Sequence, residues 1–298
     1  MNLIIGAGQV FRNYYLPNIN NKSNYFVFDI NNISDKKGFI YISDENKLLE
    51  EKYDIIYVLT PPESHFYYFQ LLNNKCSAFY IEKPVFLDNE EYKASRKLNN
   101  RVTVLGGYSR RFFNNYTEFK DLILKSELKS TISQVNISEG YNYKWNSEHL
   151  ESITNDELSH LIDSFLYILN LHNSKIDFKI NTVRGDDKTY IDIDLIINQI
   201  PINIKFSRVE ELINQFNFIN YDGDVYSLNS NLNGGISSII SNTYKELKMN
   251  SNKQSSVSVF KEILNFVESK HYLHEDVKSL TKFNNTISIL EDIKKKIQ

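Results

Sequence analysis

Three side chains able to accept or carry a proton recur at a helical spacing in the middle of the chain. Asp156, His160 and Asp163 stand at i, i+4 and i+7, so on a helix they fall within a narrow arc of one face. Leu158, Leu161, Ile162, Phe165 and Leu169 cluster on the opposite face. An imidazole flanked by carboxylates suits general acid–base work, because its unperturbed pKa of ~6.5 lies near working pH. The same pattern also describes an ordinary amphipathic helix with a solvated polar side, and spacing alone leaves both readings open.

A second group of residues points to an anionic ligand. Leu3-Ile4-Ile5 runs into Gly6-Ala7-Gly8-Gln9-Val10-Phe11. Gly6 permits a tight turn, and Gly8 lets a pyrophosphate approach the backbone where helix N–H groups and the dipole favour negative charge. Phe11 stands where a third small residue is usual, and its bulk is expected to push the helix slightly away from the strand. Phe26-Val27-Phe28 ends in Asp29, 21 positions after Gly8, where a ribose-binding acid is expected. A carboxylate there repels a 2′-phosphate, and no basic residue follows before Lys36, so NAD is favoured over NADP. Two further runs end in polar groups: Ile55-Ile56-Tyr57-Val58-Leu59 leads to Thr60, Pro61 and His65, and Phe79-Tyr80-Ile81 leads to Glu82, Lys83 and Pro84.

These groups need a scaffold, and the periodicity supplies one. Strands are expected at residues 3–5, 25–29, 39–41, 54–59, 78–81 and 103–106, with helices at 9–18, 45–51, 62–73 and 90–98. Alternation of this kind implies right-handed crossovers and a doubly wound parallel sheet of Rossmann type. Beyond Gly107 the pattern changes. Helices are expected at 112–124 and 158–171, and strands at 132–138, 177–183, 190–197, 202–206, 215–220 and 225–228, joined by short turns that suit antiparallel neighbours. The fold class is therefore α/β: a Rossmann domain at 1–107, then an α+β domain at 108–298 on an open, mainly antiparallel sheet. Residues 229–256 read as a loop. Helices at 259–269 and 280–297 close the chain, and the last of them is a candidate to pack back on the first domain.

Composition limits the partners. The 298 residues carry 34 Lys+Arg against 37 Asp+Glu, a net charge of −3, with no basic stripe of the kind that tracks nucleic acid or an anionic membrane. No apolar run approaches the ~20 residues of a membrane span. One cysteine, Cys76, and the absence of a leader pattern lead to the expectation of a cytoplasmic protein. Cys76 reads as a small hydrophobe, and no metal-ligand spacing is found among the histidines.

Taken in order along the chain, the Gly-x-Gly start, Leu16-Pro17-Asn18-Ile19, Thr60-Pro61 with His65, Glu82-Lys83-Pro84, Gly107-Tyr108-Ser109-Arg110-Arg111-Phe112 and Trp145-Asn146-Ser147-Glu148 resemble the glucose–fructose oxidoreductase, inositol dehydrogenase and MocA (Gfo/Idh/MocA) family. The resemblance covers nearly the whole chain. It implies a hydride transfer between a nicotinamide and a hydroxyl or keto carbon of a sugar, nucleotide sugar or cyclic polyol. It further implies Lys83, Asp156 and His160 as the catalytic group. Lys83 would polarise the substrate oxygen, His160 would act as acid/base, and Asp156 would orient His160 or bind a neighbouring hydroxyl. Cofactor contacts fall to Gly6, Gly8, Gln9, Val10, Asp29, Thr60, Pro61, His65, Glu82 and Lys83, and substrate contacts to Arg111, Tyr143, Trp145 and Asp163. A homodimer or homotetramer through the second sheet is the expected assembly. The family's Gly-rich approach to the catalytic aspartate is replaced by Glu151-Ser152-Ile153-Thr154-Asn155, and the side chains of Glu151, Thr154 and Asn155 are expected to fill space that glycines leave open. Relatives that reduce C=N bonds or tetrapyrroles, or that only sense NAD, are the alternatives.

Overall fold

Short apolar runs separated by turn-rich helical segments give, in the first part of the chain, one six-stranded parallel sheet. The computed structural model describes residues 1–31, 38–98, 101–125, 128–141, 152–172, 174–229, 237–239, 247–249, 255–273, 278 and 280–297. The strands are β1 (Asn2–Ile5), β2 (Tyr25–Phe28), β3 (Ile40–Ile42), β4 (Tyr53–Val58), β5 (Cys76–Glu82) and β6 (Thr103–Gly107). Their order is β3-β2-β1-β4-β5-β6, all parallel. The order reverses between β1 and β4, the switch point beside which such sheets bind ligands at their carboxyl ends.

Residue alternation gives the two faces of this sheet different chemistry. Leu3, Ile5, Ile56, Val58, Phe79 and Ile81 join one apolar cluster with Phe69 and Leu72 of α1 (His65–Leu72). The opposite face carries Tyr25, Tyr57 and Tyr80, nearly fully buried, and buried phenols need partners. Tyr15 donates to Glu82 at 2.5 Å, while Tyr25 and Tyr57 both donate to Glu268 of α5 (Ser256–Glu268). Burial and the Glu82 carboxylate push the Tyr15 phenol well above its ordinary value, so it remains a donor.

The expected helix at 9–18 is replaced by a π-helical turn at Phe11–Tyr15 followed by a 3₁₀ turn at Leu16–Asn18. Phe11 is 3% exposed and meets Phe39 edge-on at 5.8 Å. A ring in place of a glycine cannot enter a close helix–strand contact, and the widened turn is where the chain accommodates it.

The second sheet is built from β7 (Ile132–Gly140), β8 (Phe178–Gly185), β9 (Tyr190–Ile197), β10 (Ile200–Ser207), β11 (Gln215–Asn220) and β12 (Val225–Asn229), in the order β12-β11-β7-β10-β9-β8. Its central pair, β7 and β10, is parallel, and every other pair is antiparallel. Val135, Ile193, Ile204 and Phe218 lie on the buried side. Helix α2 (Asn89–Leu98) belongs to the first unit, and the second carries α3 (Asn114–Lys125) and α4 (Glu157–Ile168).

The compact units are 1–109 with 256–287, and 110–255 with 288–298. Residues 256–287 return to the first unit because Phe260 of α5 stacks on Tyr14 and Tyr15 at 4.8 and 5.0 Å and Phe283 joins the core beside Phe86. The helix that packs back is thus the penultimate one, and α6 (Asn284–Ile297) is divided between the units. The stretch read as a loop contains a small hairpin, β13 (Ser237–Ile239) with β14 (Leu247–Met249). Among the described residues no helix is long and apolar enough to cross a membrane.

Candidate functional site

The carboxyl ends of β1, β4 and β5 lie side by side and carry most of the residues expected to meet a cofactor. Gly6 has φ +91°, and a Cβ there would lie 2.9 Å from the backbone of Leu59, so the turn after β1 admits glycine only. At Gly8 the opposite holds: a Cβ would find nothing within 4 Å. Gly8, Gln9 and Val10 are exposed at the start of the helical turn. Open space above exposed backbone at a helix start fits a pyrophosphate.

Asp29 is fixed beside this turn. Its Oδ2 accepts from the Ala7 N–H at 2.6 Å and its Oδ1 from the Asn31 N–H at 2.8 Å. Two backbone donors hold the carboxylate in place, and each oxygen retains a lone pair for a ribose hydroxyl. The turn, the open space and the anchored acid together fit a dinucleotide. Lys36 lies outside the described residues.

Thr60 and Pro61 follow β4, and Glu82 and Lys83 end β5, where Glu82 Oε2 also accepts from the Lys83 N–H at 3.3 Å. His65, expected to reach a cofactor, is instead 0% exposed. One ring nitrogen lies 2.8 Å from the Thr60 carbonyl oxygen and the other 2.9 Å from that of Pro84. It ties the segment after β4 to the segment after β5, next to Lys83, and its sealed ring is not presented to a ligand. Burial pulls the imidazole below its ordinary value, against the two carbonyls that favour its charged form.

In the second unit, Asp156 occupies the N-cap position of α4. Its side chain makes no capping bond to the helix N–H groups and lies 3.3 Å from Arg208 Nη2. The residues before it are tied to the turn between β8 and β9: the Ile153 N–H donates to the Asp187 carbonyl at 2.7 Å, and both the Thr154 N–H and its hydroxyl donate to Asp187 Oδ1. Thr154 is fully buried, so its side chain is spent on this anchor and does not fill open space as expected. His160, one turn along α4, is half-buried.

The third member of the expected polar face departs from it. Asp163 is 1% and Arg111 0% exposed, and they form a bidentate pair at 2.5 and 2.9 Å. Arg111 also donates to His172 Nε2 at 2.8 Å, which makes His172 a neutral acceptor. Burial alone would raise the Asp163 carboxyl, but Arg111 and His172 together outweigh it and hold the group below its usual range. Burial, with Arg111 alongside, lowers His172 to about 4. Arg111 and Asp163 are therefore interior ion-pair partners and not substrate contacts. Arg110 is likewise buried, bidentate to Glu139 at 2.6 and 2.8 Å. Tyr143 and Trp145 lie outside the described residues. Sequence reasoning missed Arg208, Asp187 and the role of His172; each owes its place to a partner distant in sequence, and no local pattern marks it.

No family model matches the chain, and no curated protein does. Solved structures do match over its full length. A dehydrogenase from Clostridium difficile superposes with a TM-score of 0.76 at 19% identity, covering 99% of this chain and 98% of that one. The fold is that of these dehydrogenases. A UDP-N-acetylglucosamine 3-dehydrogenase from Acidithiobacillus ferrooxidans gives a TM-score of 0.73 at 16% identity over 99% and 95% of the two chains. A 3-ketoreductase from Actinomadura kijaniata, solved with NADP and TDP-benzene, gives 0.78 at 12% identity over 99% and 97%. The likeness matches both sheets described above, the parallel one and the mixed, mainly antiparallel one.

Proposed function

We propose that this protein is an NAD(P)-dependent oxidoreductase acting on a hydroxyl or keto carbon of a sugar, nucleotide sugar or cyclic polyol. The observation that carries the reading is the row of groups at the carboxyl ends of three adjacent parallel strands: the glycine turn after β1, Thr60 and Pro61 after β4, and Glu82 and Lys83 at the end of β5. Gly6, Gly8, Gln9 and Val10 would hold the pyrophosphate, and Asp29 the adenosine ribose, which favours NAD over NADP. Thr60, Pro61, Glu82 and Lys83 would border the nicotinamide end. When bound, the dinucleotide supplies the hydride donor or acceptor.

The remaining steps fall to side chains of the protein. The Lys83 ammonium donates to the substrate oxygen and stabilises the charge that develops there. His160 takes or returns the proton of that oxygen. Asp156 accepts from a neighbouring hydroxyl and so orients the substrate. Two of the structural neighbours are named for 3-dehydrogenase or 3-ketoreductase activity, one of them with a UDP-linked sugar in its name, which supports this substrate class. A homodimer or homotetramer through the second sheet is part of this proposal, and light scattering would test it.

Calorimetric titration with NAD and NADP, followed by a screen of sugars, nucleotide sugars and inositols for NAD reduction, tests the reading. NAD is expected to bind more tightly, and Asp29→Ala to weaken it. Lys83→Met and His160→Asn are each expected to cut turnover by ~10²–10⁴-fold. Absence of dinucleotide binding at millimolar concentration, or variants that keep turnover within a few-fold of the parent, would refute it.

A further inference from the structure

Arg208 follows β10 and is 4% exposed. Its backbone N–H donates to the Thr189 carbonyl at 2.8 Å and its Nη1 to the Lys188 carbonyl at 3.4 Å. Nη2 lies 3.3 Å from Asp156 Oδ2. The two halves of this pair differ in depth, since the Asp156 side chain is 29% exposed. The arginine is the inner, fixed half and the carboxylate the outer one. Three consecutive residues of the β8–β9 turn hold both ends: Asp187 holds the approach to Asp156 through Ile153 and Thr154, while Lys188 and Thr189 hold Arg208.

The N-cap geometry shows what this scaffold achieves. An aspartate at an N-cap ordinarily accepts from an early helix N–H, which stabilises a helix by ~1 kcal/mol. Asp156 makes no such bond; its carboxylate is turned to Arg208. We propose that Arg208 is a positioning residue that aims the Asp156 carboxylate out of its cap and keeps it ionised, so that Asp156 serves as a fixed acceptor for a substrate hydroxyl. This rests on the oxidoreductase reading above. A nearby guanidinium disfavours the protonated carboxyl, so Asp156 is no proton store, and proton transfer falls to His160. The other titratable groups on the elements carrying the pair are Glu157, His160, Asp163 and Tyr167 on α4, Asp186, Asp187 and Lys188 on the turn, Lys205 on β10, and Glu210 and Glu211 beyond it.

The test is a carboxyl-carbon NMR titration of the full chain labelled at aspartate, with the Asp156 resonance assigned through Asp156→Asn. Arg208→Gln is expected to raise the Asp156 midpoint by about one pH unit, and Arg208→Lys to restore most of the shift. In turnover assays Arg208→Gln is expected to lower kcat on the order of tenfold, less than the ~10²–10⁴ of a group that moves the proton. In the Asp156→Asn background it should cost less than about twofold, because coupled residues are non-additive. An unmoved midpoint in a folded Arg208→Gln protein, an Arg208→Lys midpoint as high as that of Arg208→Gln, or equal costs in both backgrounds, overturns the proposal. The two failures separate cleanly. If the oxidoreductase reading is wrong, no turnover is found but the titration still reports the pair. If Arg208 does not position Asp156, the midpoint stays put while Lys83→Met and His160→Asn still abolish turnover.

Discussion

His172 gives this protein an acid sensitivity that a solvent-exposed histidine would not. The imidazole is 4% exposed and accepts from Arg111; burial first, and the guanidinium second, bring it down to about 4, against ~6.5 in the unfolded chain. Between those values the unfolded state binds a proton that the folded state refuses, so acid favours unfolding. The stability this group contributes is fully present above pH ~6.5 and is lost as pH falls toward 4, to a total of roughly 3 kcal/mol, with a steepest slope of ~1.4 kcal/mol per pH unit. Asp163, held below the usual carboxylate range, stays ionised through that window and adds its own loss only below it. His172→Gln keeps an acceptor for Arg111 but removes the titration. Urea unfolding of parent and variant at half-unit steps from pH 7.5 to 4.5, read by far-ultraviolet circular dichroism, should give a parent curve that falls more steeply on the acid side. Subtracting the two curves isolates His172 from His65, whose burial acts with the same sign. Parallel curves would refute the assignment of a neutral, buried His172.

Three further outcomes follow from the geometry. Gly6→Ala, which must place a Cβ at φ +91° and 2.9 Å from Leu59, is expected to cost ~1–2 kcal/mol or more of stability, measured by urea melts. Gly8→Ala, where nothing lies within 4 Å, should leave the melt unchanged but weaken NAD in the same calorimetric assay, since the new methyl occupies the space proposed for pyrophosphate. Glu139→Gln leaves Arg110 charged at 2% exposure and is expected to destabilise by about 3 kcal/mol, toward the low end for a broken buried pair, whereas Arg110→Met with Glu139→Leu should recover most of that loss.

What the sequence made legible was whatever depends on neighbours along the chain. Strand alternation located both sheets to within a residue or two, and the glycine turn, Asp29 and Lys83 fell at strand ends because a parallel sheet leaves its functional residues there. The first departures were local conflicts. Phe11 occupies a position that favours a small residue, and the helix around it widens to a π turn. The remaining departures involve charges whose partners are far off in sequence: Arg111 and Asp163 are 52 residues apart, Arg208 and Asp156 also 52, Arg110 and Glu139 29. Periodicity reports which face of a helix a charge occupies. It carries no information about whether that face meets solvent or an arginine.

Helix α4 makes the point in one element. Asp156 and Asp163 were placed on a common polar face by their spacing, and both do meet an arginine. Depth separates their functions. At 1% exposure, with two short bonds to Arg111 and His172 at its side, Asp163 can neither reach a ligand nor change charge near neutral pH, and removing either partner would strand a buried ion. At 29% exposure, with its contact to Arg208 at 3.3 Å, Asp156 is accessible where Asp163 is sealed. A carboxylate that is charged, oriented and still accessible can accept a hydroxyl. A carboxylate that is charged, oriented and sealed can only hold the helix in place. The two therefore predict opposite phenotypes: Asp163→Asn should be read in melting curves, and Asp156→Asn in kcat.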